Sequence, residues 1–573
     1  MDWFIIDGIG PFFRGYEKKR VNWSKIPFQG LATEGPERRK QWDQIASDLQ
    51  RFCREIEAAG FNTITFDDLA HLATHPAHEP DIAAKIEIYR EEFTRLFDLV
   101  KRESELRILL TSDVIPTTPA VVAELGTKPA ELDAYYRCLI RGVLDDFPQL
   151  DGLILRIGES DGVDVKDSIR THLHLKSPAD ANRLLHQLIP EFEKRAKTLI
   201  LRTWTVGAHR IGDLIWHRRT LATTLKDIDS PNFIVSMKHG ESDFFRYLPL
   251  NQAFFTVKQP KILELQARKE YEGAGEYPSF TGWDHERFAH ELEAAENVAG
   301  LSVWCQTGGW HRFRRLAFLE QNDRDVWIRL NTLCALRIFK DHQTVEQAIA
   351  GILGEDRAIA ALELLRHAET VIRDLLYVGD FAAQKLFFRR VRIPPLLHVY
   401  WDSLFINNAV REILGHFVKD SGQALRTGEA AFTLFPRMIE LAAQAGLPVD
   451  DLEHMRDFFH LILLARRFYF LPPDDELIAD LREAKKAYKQ KWPKAIRARY
   501  RIKLDFGTFH TKRRTLGLAS ALLLRKQRGY RIIDHLFTLN VLGPLFRWFH
   551  RHRPNSIPKF MRKSAMGVES LFR

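Results

Sequence analysis

The stretch Gly152-Leu-Ile-Leu-Arg-Ile-Gly-Glu159-Ser-Asp-Gly162 is an apolar run that ends abruptly in a carboxylate. Its length and aliphatic content are those of a strand, and the Gly-Glu-Ser-Asp-Gly that follows reads as a turn. Two later segments close in the same way: Phe233-Ile-Val-Ser-Met-Lys238-His239-Gly-Glu-Ser-Asp243 and Ile262-Leu-Glu-Leu-Gln-Ala-Arg-Lys-Glu270-Tyr-Glu-Gly273. If these strands lie side by side in a parallel barrel, all three acids reach its carboxyl-end rim. Barrel enzymes keep their chemistry at that rim.

Outward from these segments, short β-rich runs alternate with longer amphipathic stretches up to about residue 310. Strands are expected at Trp3–Asp7, Thr63–Phe66, Arg107–Ser112, Gly152–Ile157, Thr198–Thr203, Asn232–Met237, Ile262–Leu265 and Gly300–Trp304. Apolar residues at helical spacing mark Lys40–Ala59 and Ala181–Arg195, with a shorter helix at Glu286–Asn297. Eight strand-and-helix units predict an α/β fold of the (β/α)₈ TIM-barrel type. An open doubly wound sheet is the main rival, but there is no G-x-G-x-x-G after a first strand and no G-x-x-x-x-G-K-[ST]. Beyond Trp327 the pattern changes to helix only, with Val345–Leu353, Asp356–Tyr377, Ala424–Ala445, Val449–Phe470 and Glu476–Trp492 separated by Gly or Pro. The expected division is a catalytic barrel at 1–335, an all-helical domain at 336–480 and a basic helical tail at 481–573.

The composition, 45% hydrophobic and 28% charged, is that of a soluble globular protein. The start, Met1-Asp-Trp-Phe-Ile-Ile-Asp, carries no basic leader and no long apolar run. Cys53, Cys138, Cys305 and Cys334 are scattered without a C-x-x-C pair, which argues against a zinc site or disulfide framework and fits a reducing cytoplasm. From Leu481 to Arg573 there are 24 Lys/Arg against 4 Asp/Glu; set against a net charge of +9 for the whole chain, the rest carries −11. A basic tail can meet an anionic membrane or acidic polysaccharide, or it can be a solvated or dimer-contacting helical face. Asp534, Asn540 and Pro544 interrupt Arg525–Arg553, so that stretch is not a convincing membrane span, although peripheral contact stays open. No nucleic-acid partner is expected, and a homodimer through the helical domain is an open alternative.

The expected strand ends are unusually polar: Asp7, Asp67, Asp68, Asp113, Glu159, Arg202, Lys238 with Asp243, Glu270 and Trp304. Hydrolysis of a glycoside needs one protonated carboxyl to donate to the leaving oxygen and one ionised carboxylate to activate water or attack carbon. Glu159, beyond an apolar strand, suits the acid, because partial burial raises a carboxyl pKa. Asp243 and Glu270 come from the far side of the cavity, and cationic Lys238 keeps the base ionised. Lys238 and Arg202 can instead, or also, grip an anionic substrate. Trp304 and Trp204 are either sugar platforms or packed indoles.

These local sequences resemble glycoside hydrolase family 67, the α-glucuronidases. The family's Ser-Glu-Gly acid element is similar to Gly158-Glu159-Ser160. Its Lys-Asn-Gly-Pro-Met-Asp-Phe element is echoed by Lys238-His239-Gly240-Glu241-Ser242-Asp243-Phe244, and its Glu-Phe-Gln-Ile-Thr-Gln-Glu-Tyr-Thr-Gly element by Glu264-Leu-Gln266-Ala-Arg-Lys-Glu270-Tyr271-Glu-Gly273. The resemblance spans roughly residues 100 to 340. It implies an inverting exo-hydrolase without metal or cofactor that removes a terminal α-linked uronic acid from an oligosaccharide. Glu159 is then the acid, Asp243 and Glu270 activate water, and Arg202, Lys238, His239 and Trp304 bind substrate. The chain departs from the family in starting on the first barrel strand, without a preceding β-rich domain. It also has His239 for Asn and Glu241-Ser242 for Pro-Met, which puts sugar and linkage in question. A related glycosidase for another terminal sugar, or a non-catalytic barrel that binds acidic glycan or a membrane, is the rival reading. His71, His75, His78, His172 and His174 fall in loops outside any metal motif, and no G-x-S-x-G elbow is present.

Overall fold

The computed structural model describes residues 1–14, 25–157, 174–204, 218–308, 315–388 and 391–507 apart from position 473, with short or isolated stretches elsewhere. Eight parallel strands close into a barrel: β1 (Trp3–Asp7), β2 (Thr63–Phe66), β3 (Arg107–Val114), β4 (Gly152–Ile157), β5 (Thr198–Arg202), β6 (Phe233–Lys238), β7 (Lys261–Gln266) and β8 (Val298–Trp304). Each strand pairs with the next in sequence, and β8 closes on β1 with Phe4 opposite Leu301. All eight expected strands are present. Their four to eight residues, rich in branched and aliphatic side chains, are short for a helix and apolar enough to be covered.

Side chains alternate strictly, so one residue in two enters the barrel. Ile5, Leu109, Ile154, Ile200, Ile234 and Ile262 form a separate apolar layer inside it, floored by Trp3. Each such aliphatic side chain contributes roughly 2–3 kcal/mol of burial. Two residues further along each strand the interior turns polar, with Asp7, Thr111, Arg156, Arg202, Ser236 and Glu264, all buried. The barrel is therefore oil-filled below and charged above.

Crossovers carry α1 (Gly35–Ala59), α2 (Pro80–Glu103), α3 (Pro129–Asp146), α4 (Pro178–Glu193), α5 (Arg218–Thr224) and α6 (Gly282–Leu292), and α7 (Val326–Asp341) follows β8. The connection from β6 to β7 has only a 3₁₀ turn at Gln252–Phe255. Beyond α7 the chain is mainly helical: α8 (Val345–Leu353), α9 (Glu355–Val371), α10 (Asn408–Phe417), α11 (Ser421–Phe432), α12 (Phe435–Gln444), α13 (Val449–Phe470) and α14 (Asp475–Lys491). The single helix expected at Ala424–Ala445 is two helices, broken at Thr433-Leu434 ahead of Pro436.

The region is not helix only, as the periodicity implied. Small sheets pair β9 (Phe387–Phe388) with β10 (Val391–Arg392), and β12 (Ser403–Asn407) with β11 (Val399–Tyr400) and with β13 (Arg501–Asp505). Pieces of two to five residues leave too little alternation to be read. One continuous apolar core runs from the barrel's outer surface into the helical layer. Residue 481, where the basic tail was expected to begin, lies inside α14. Among the described residues, no helix is long and apolar enough to cross a membrane; most of 508–573 lies outside them.

Candidate active site

The polar upper layer divides into separate ion clusters. Asp7 accepts the backbone N–H groups of Cys305, Gln306 and Thr307, which ties the loop after β8 to the start of the barrel. Asp113 takes Lys25 and, at 2.8 Å, Arg156, whose other end lies 3.4 Å from Asp67. Asp67 also accepts from the Ile26 backbone and the Thr111 hydroxyl. Asp68 binds His71 at 2.8 Å, a local cap rather than part of a metal site. Among the described residues no group of His, Cys, Asp and Glu is arranged to hold a metal ion.

Across the barrel, Arg202 Nε donates to both oxygens of Glu264 at 3.0 and 2.9 Å. Ser236 (2.7 Å) and the Trp304 indole N–H (3.3 Å) complete that carboxylate's shell. The Arg202 guanidinium also lies over the Trp304 ring, 5.0 Å from its centroid. Arg202 and Trp304 thus belong to one buried Glu264 cluster. Glu264 itself carried no expected role. The signal for it is an acid in register with the inward residues of an apolar strand, Ile262-x-Glu264-x-Gln266.

Lys238 and Asp243 do meet. The ammonium at the end of β6 donates to Asp243 Oδ1 at 2.6 Å and sits 3.6 Å from the centroid of the Trp204 ring. Tyr271 donates its hydroxyl to Asp243 Oδ2 at 2.7 Å, and the Phe244 backbone N–H reaches Oδ1 at 3.1 Å. Burial alone would raise the Asp243 carboxyl. The Lys238 charge and these hydrogen bonds outweigh it and hold the group below the usual carboxylate range, so Asp243 is ionised. Burial and the facing Asp243 push the Tyr271 hydroxyl well above its ordinary value, which keeps it a donor.

Glu270 stands next to that tyrosine, only 8% exposed. Gln266 holds it twice: its amide donates to Glu270 Oε1 at 3.2 Å and its carbonyl oxygen accepts the Glu270 N–H at 3.0 Å. Gly308 packs on this clasp in a left-handed conformation (φ +121°). A Cβ there would come 2.7 Å from Gln266 Nε2 and 3.0 Å from Glu270 Cβ, so only glycine fits. Gln266 and Tyr271 are the positioning residues that had no assigned role; the spacing of Gln266 and Glu270, four apart across a tight loop, is their trace in the sequence.

His239 does not join this group. The pleat that sends Lys238 into the barrel sends the next side chain out of it. The His239 ring stacks on Phe288 of α6 at 5.3 Å. Burial, with nearby Lys269, lowers it to about 4, so it is neutral. Glu159 lies outside the described residues, as does most of the turn around it.

The helical region supplies one wall. Phe387 packs on Trp204, Lys385 pairs with Glu241 at 2.8 Å, and Arg392 lies 3.5 Å from the same carboxylate. Tyr271 stacks on Phe245 at 4.2 Å and lies parallel to Trp401 at 6.4 Å. The whole loop from β7 to α6 is buried although it carries Arg268, Lys269, Glu270, Glu272 and Glu276. Glu272 accepts from Arg246 (3.0 Å) and Tyr377 (2.7 Å). Burial would raise its carboxyl, but Lys269 and Arg246 bring it down to about 2. Glu276 meets Arg315 at 3.2 Å, and Arg315 in turn binds Asp451 of α13 at 2.7 Å. Carboxylates at the ends of β6 and β7 are therefore fixed from both sides, by the barrel and by the helices.

No protein-family model matches the chain, and no curated protein matches it either. Solved structures do. A GH138 enzyme targeting pectin rhamnogalacturonan II is 10% identical, with a TM-score of 0.49, over 86% of this chain and 59% of its own. An O-GlcNAc hydrolase of Thermobaculum terrenum is 12% identical, with a TM-score of 0.37, over 80% and 88%. A GH89 enzyme of Clostridium perfringens, in complex with GlcNAc-alpha-1,4-galactose, is 9% identical, with a TM-score of 0.39, over 85% and 52%. This chain thus spans little more than half the length of the first and third. None of these likenesses carries a substrate or a mechanism to it.

Proposed function

We propose that the chain is a glycoside hydrolase that removes a terminal α-linked uronic acid from an oligosaccharide with inversion and without a cofactor. The observation that carries the reading is a pair of buried carboxylates past the ends of β6 and β7: Asp243, which accepts the Tyr271 hydroxyl, and Glu270, the residue next to that tyrosine in the chain. Inversion requires an ionised carboxylate that activates water on one face of the sugar and a carboxylic acid that protonates the leaving oxygen on the other. Asp243, held ionised by Lys238 and Tyr271, is a poor proton acceptor because its pKa lies low. In this reading it orients the water and stabilises positive charge developing at the anomeric carbon. Glu270, gripped by the neutral Gln266, takes the proton. Glu159 donates to the leaving group, and Lys238 beside Trp204 faces the uronate carboxylate.

A second reading has its own observation. Arg202 Nε is already shared between both oxygens of Glu264 and Lys238 already bound to Asp243, so both cations expected to grip a uronate have carboxylates of their own. That favours a neutral terminal sugar with the same mechanism.

The test is sugar release from a panel of uronate-capped and neutral oligosaccharides, followed by NMR of the first-formed anomer. Wild type is expected to release uronate with inverted configuration, and Glu270→Gln and Asp243→Asn to release none. Release of neutral sugars only would replace the substrate and keep the mechanism. Retention of configuration would overturn the assignment of Glu270 as base.

A further inference from the structure

The basic character of the last helix is arranged rather than diffuse. Arg482, Lys485, Lys486 and Lys489 of α14 recur at i, i+3, i+4 and i+7, so they share one face of the helix. Glu476, Asp480 and Glu483 recur at i, i+4 and i+7 on another face. Arg482, Lys486 and Lys489 are exposed, and Lys485 is half-buried. None of the four pairs with a carboxylate among the described residues. Arg482 lies instead over the Phe506 ring, 5.8 Å from its centroid. Lys491, on the opposite side of the helix, does find an acid, Asp457 at 2.7 Å.

Like charges three and four residues apart repel, and each such pair weakens a helix slightly. Burial and the charge of Lys489 both lower the Lys485 ammonium, a mark of that crowding. The helix dipole accounts for a cation in the last turn, where Lys489 lies. Its effect does not reach Arg482, nine residues before the end of the helix at Lys491. An anionic surface laid against this face would relieve the repulsion along its whole length.

The surface continues past the helix. Arg499 donates to the carbonyl oxygens of Lys489 (2.7 Å) and Trp492 (2.8 Å), which folds the following turn back on the end of the cationic face. That turn carries Lys494, exposed, and Ile496, 77% exposed. Soon after Phe506, the ring beneath Arg482, the sequence of 508–573 adds 14 Lys/Arg against 2 Asp/Glu, interleaved with Leu and Phe. Acidic polysaccharide offers such a surface charge alone. An anionic bilayer offers charge at its headgroups and hydrocarbon just beneath them, and an exposed isoleucine beside lysines matches both.

We propose that the face of α14 formed by Arg482, Lys485, Lys486 and Lys489, with Ile496 on the turn beside it, docks the protein peripherally on an anionic phospholipid surface. The inference does not depend on the hydrolase reading and stands if that reading fails. Arg497, in the same turn, binds Asp451 and the Glu276 backbone, so the docking segment is tied to the loop that carries Glu270.

The test is flotation of the full chain with vesicles of phosphatidylcholine, alone or mixed with phosphatidylglycerol, and acetylation of its lysines read by mass spectrometry with and without vesicles. Binding is expected with the anionic vesicles only, and to weaken as salt is raised. Lys485, Lys486 and Lys489 are expected to lose reactivity on binding, which separates contact by this face from contact by 508–573 alone. Replacing all four cations by Gln keeps good helix formers at exposed positions. It is expected to weaken binding roughly several hundredfold, about fivefold for each charge. Ile496→Ser is expected to weaken it by roughly tenfold. Vesicle binding that leaves the three lysines reactive, or that survives the four replacements undiminished, would overturn the assignment of this face. Retention by polygalacturonate without binding to vesicles would overturn the lipid surface in favour of an acidic glycan. Binding to neither would make the face a solvated one and overturn the proposal outright.

Discussion

On the β1–β4 side of the rim, Asp7, Asp67 and Asp113 sit within their strands or one residue beyond, and protein groups engage them fully: backbone N–H groups, Arg156 and Lys25. On the β6–β7 side, Asp243 and Glu270 sit four or five residues past the strand ends, on loops, and are held by a phenol, an ammonium and an amide. Both sets are acids at the same end of the same barrel. The first closes the sheet and balances a buried arginine; the second is aimed. A rim carboxylate is therefore a candidate for chemistry by virtue of its partners, not its place.

The sharpest way to break this contrast is to neutralise one acid on each side. Asp243→Asn and Glu270→Gln are expected to lower kcat on the released sugar by about a thousandfold, with unfolding midpoints near wild type. Asp113→Asn is expected to do the reverse. It leaves Arg156 and Lys25 short of a buried counter-charge and costs roughly 3–5 kcal/mol in denaturant melts, with turnover per folded molecule close to normal. Equal loss of turnover in both would erase the distinction.

Acid titration sharpens it further. Burial lowers His239 to about 4 and His285 to about 3. Both are neutral when folded but take a proton near pH 6.5 when unfolded, so the unfolded chain binds more protons as pH drops. Stability is expected to be full above about pH 6.5 and to fall between there and about pH 4, by an amount on the order of 3 kcal/mol for His239 alone. His239→Phe should flatten that part of a Tm–pH curve. The smallest expected effect is that of Tyr271→Phe. Losing a donor to the ionised form raises the Asp243 pKa, so the acid limb of kcat should move to higher pH, with a loss of about tenfold at the optimum. An unmoved acid limb would show that Asp243 does not govern it.

Much of the barrel was legible in the sequence because each of its strands is an apolar run with a turn on either side. Gly152–Ile157 and Val449–Phe470 were legible to the residue. The rim was legible as a set of positions but not as a set of pairs. Arg202 looked like a free cation until Glu264, 62 residues on, was found across the barrel. His239 looked like a neighbour of Lys238 in function because it is one in sequence, but the pleat turns adjacent side chains to opposite faces. Tyr271 and Asp243 are 28 residues apart, and Phe387 reaches Trp204 from the helical region. Local spacing carries no record of contacts made across such distances. What it does carry is register, which is why an inward acid such as Glu264 could have been read.

The buried loop that presents Glu270 has a consequence for how the protein comes to be. Its carboxylate at Glu276 is matched by Arg315, then by Asp451, and Arg497 binds both Asp451 and the Glu276 backbone. Those partners leave the ribosome in that order, the last of them some 220 residues after the loop itself. Domains that fold as they are made normally mature from the amino end. Here a nascent chain can have all eight staves of its barrel in hand and still lack the charges that seat the loop carrying Glu270, so the rim is completed only once the chain has been made as far as Arg497.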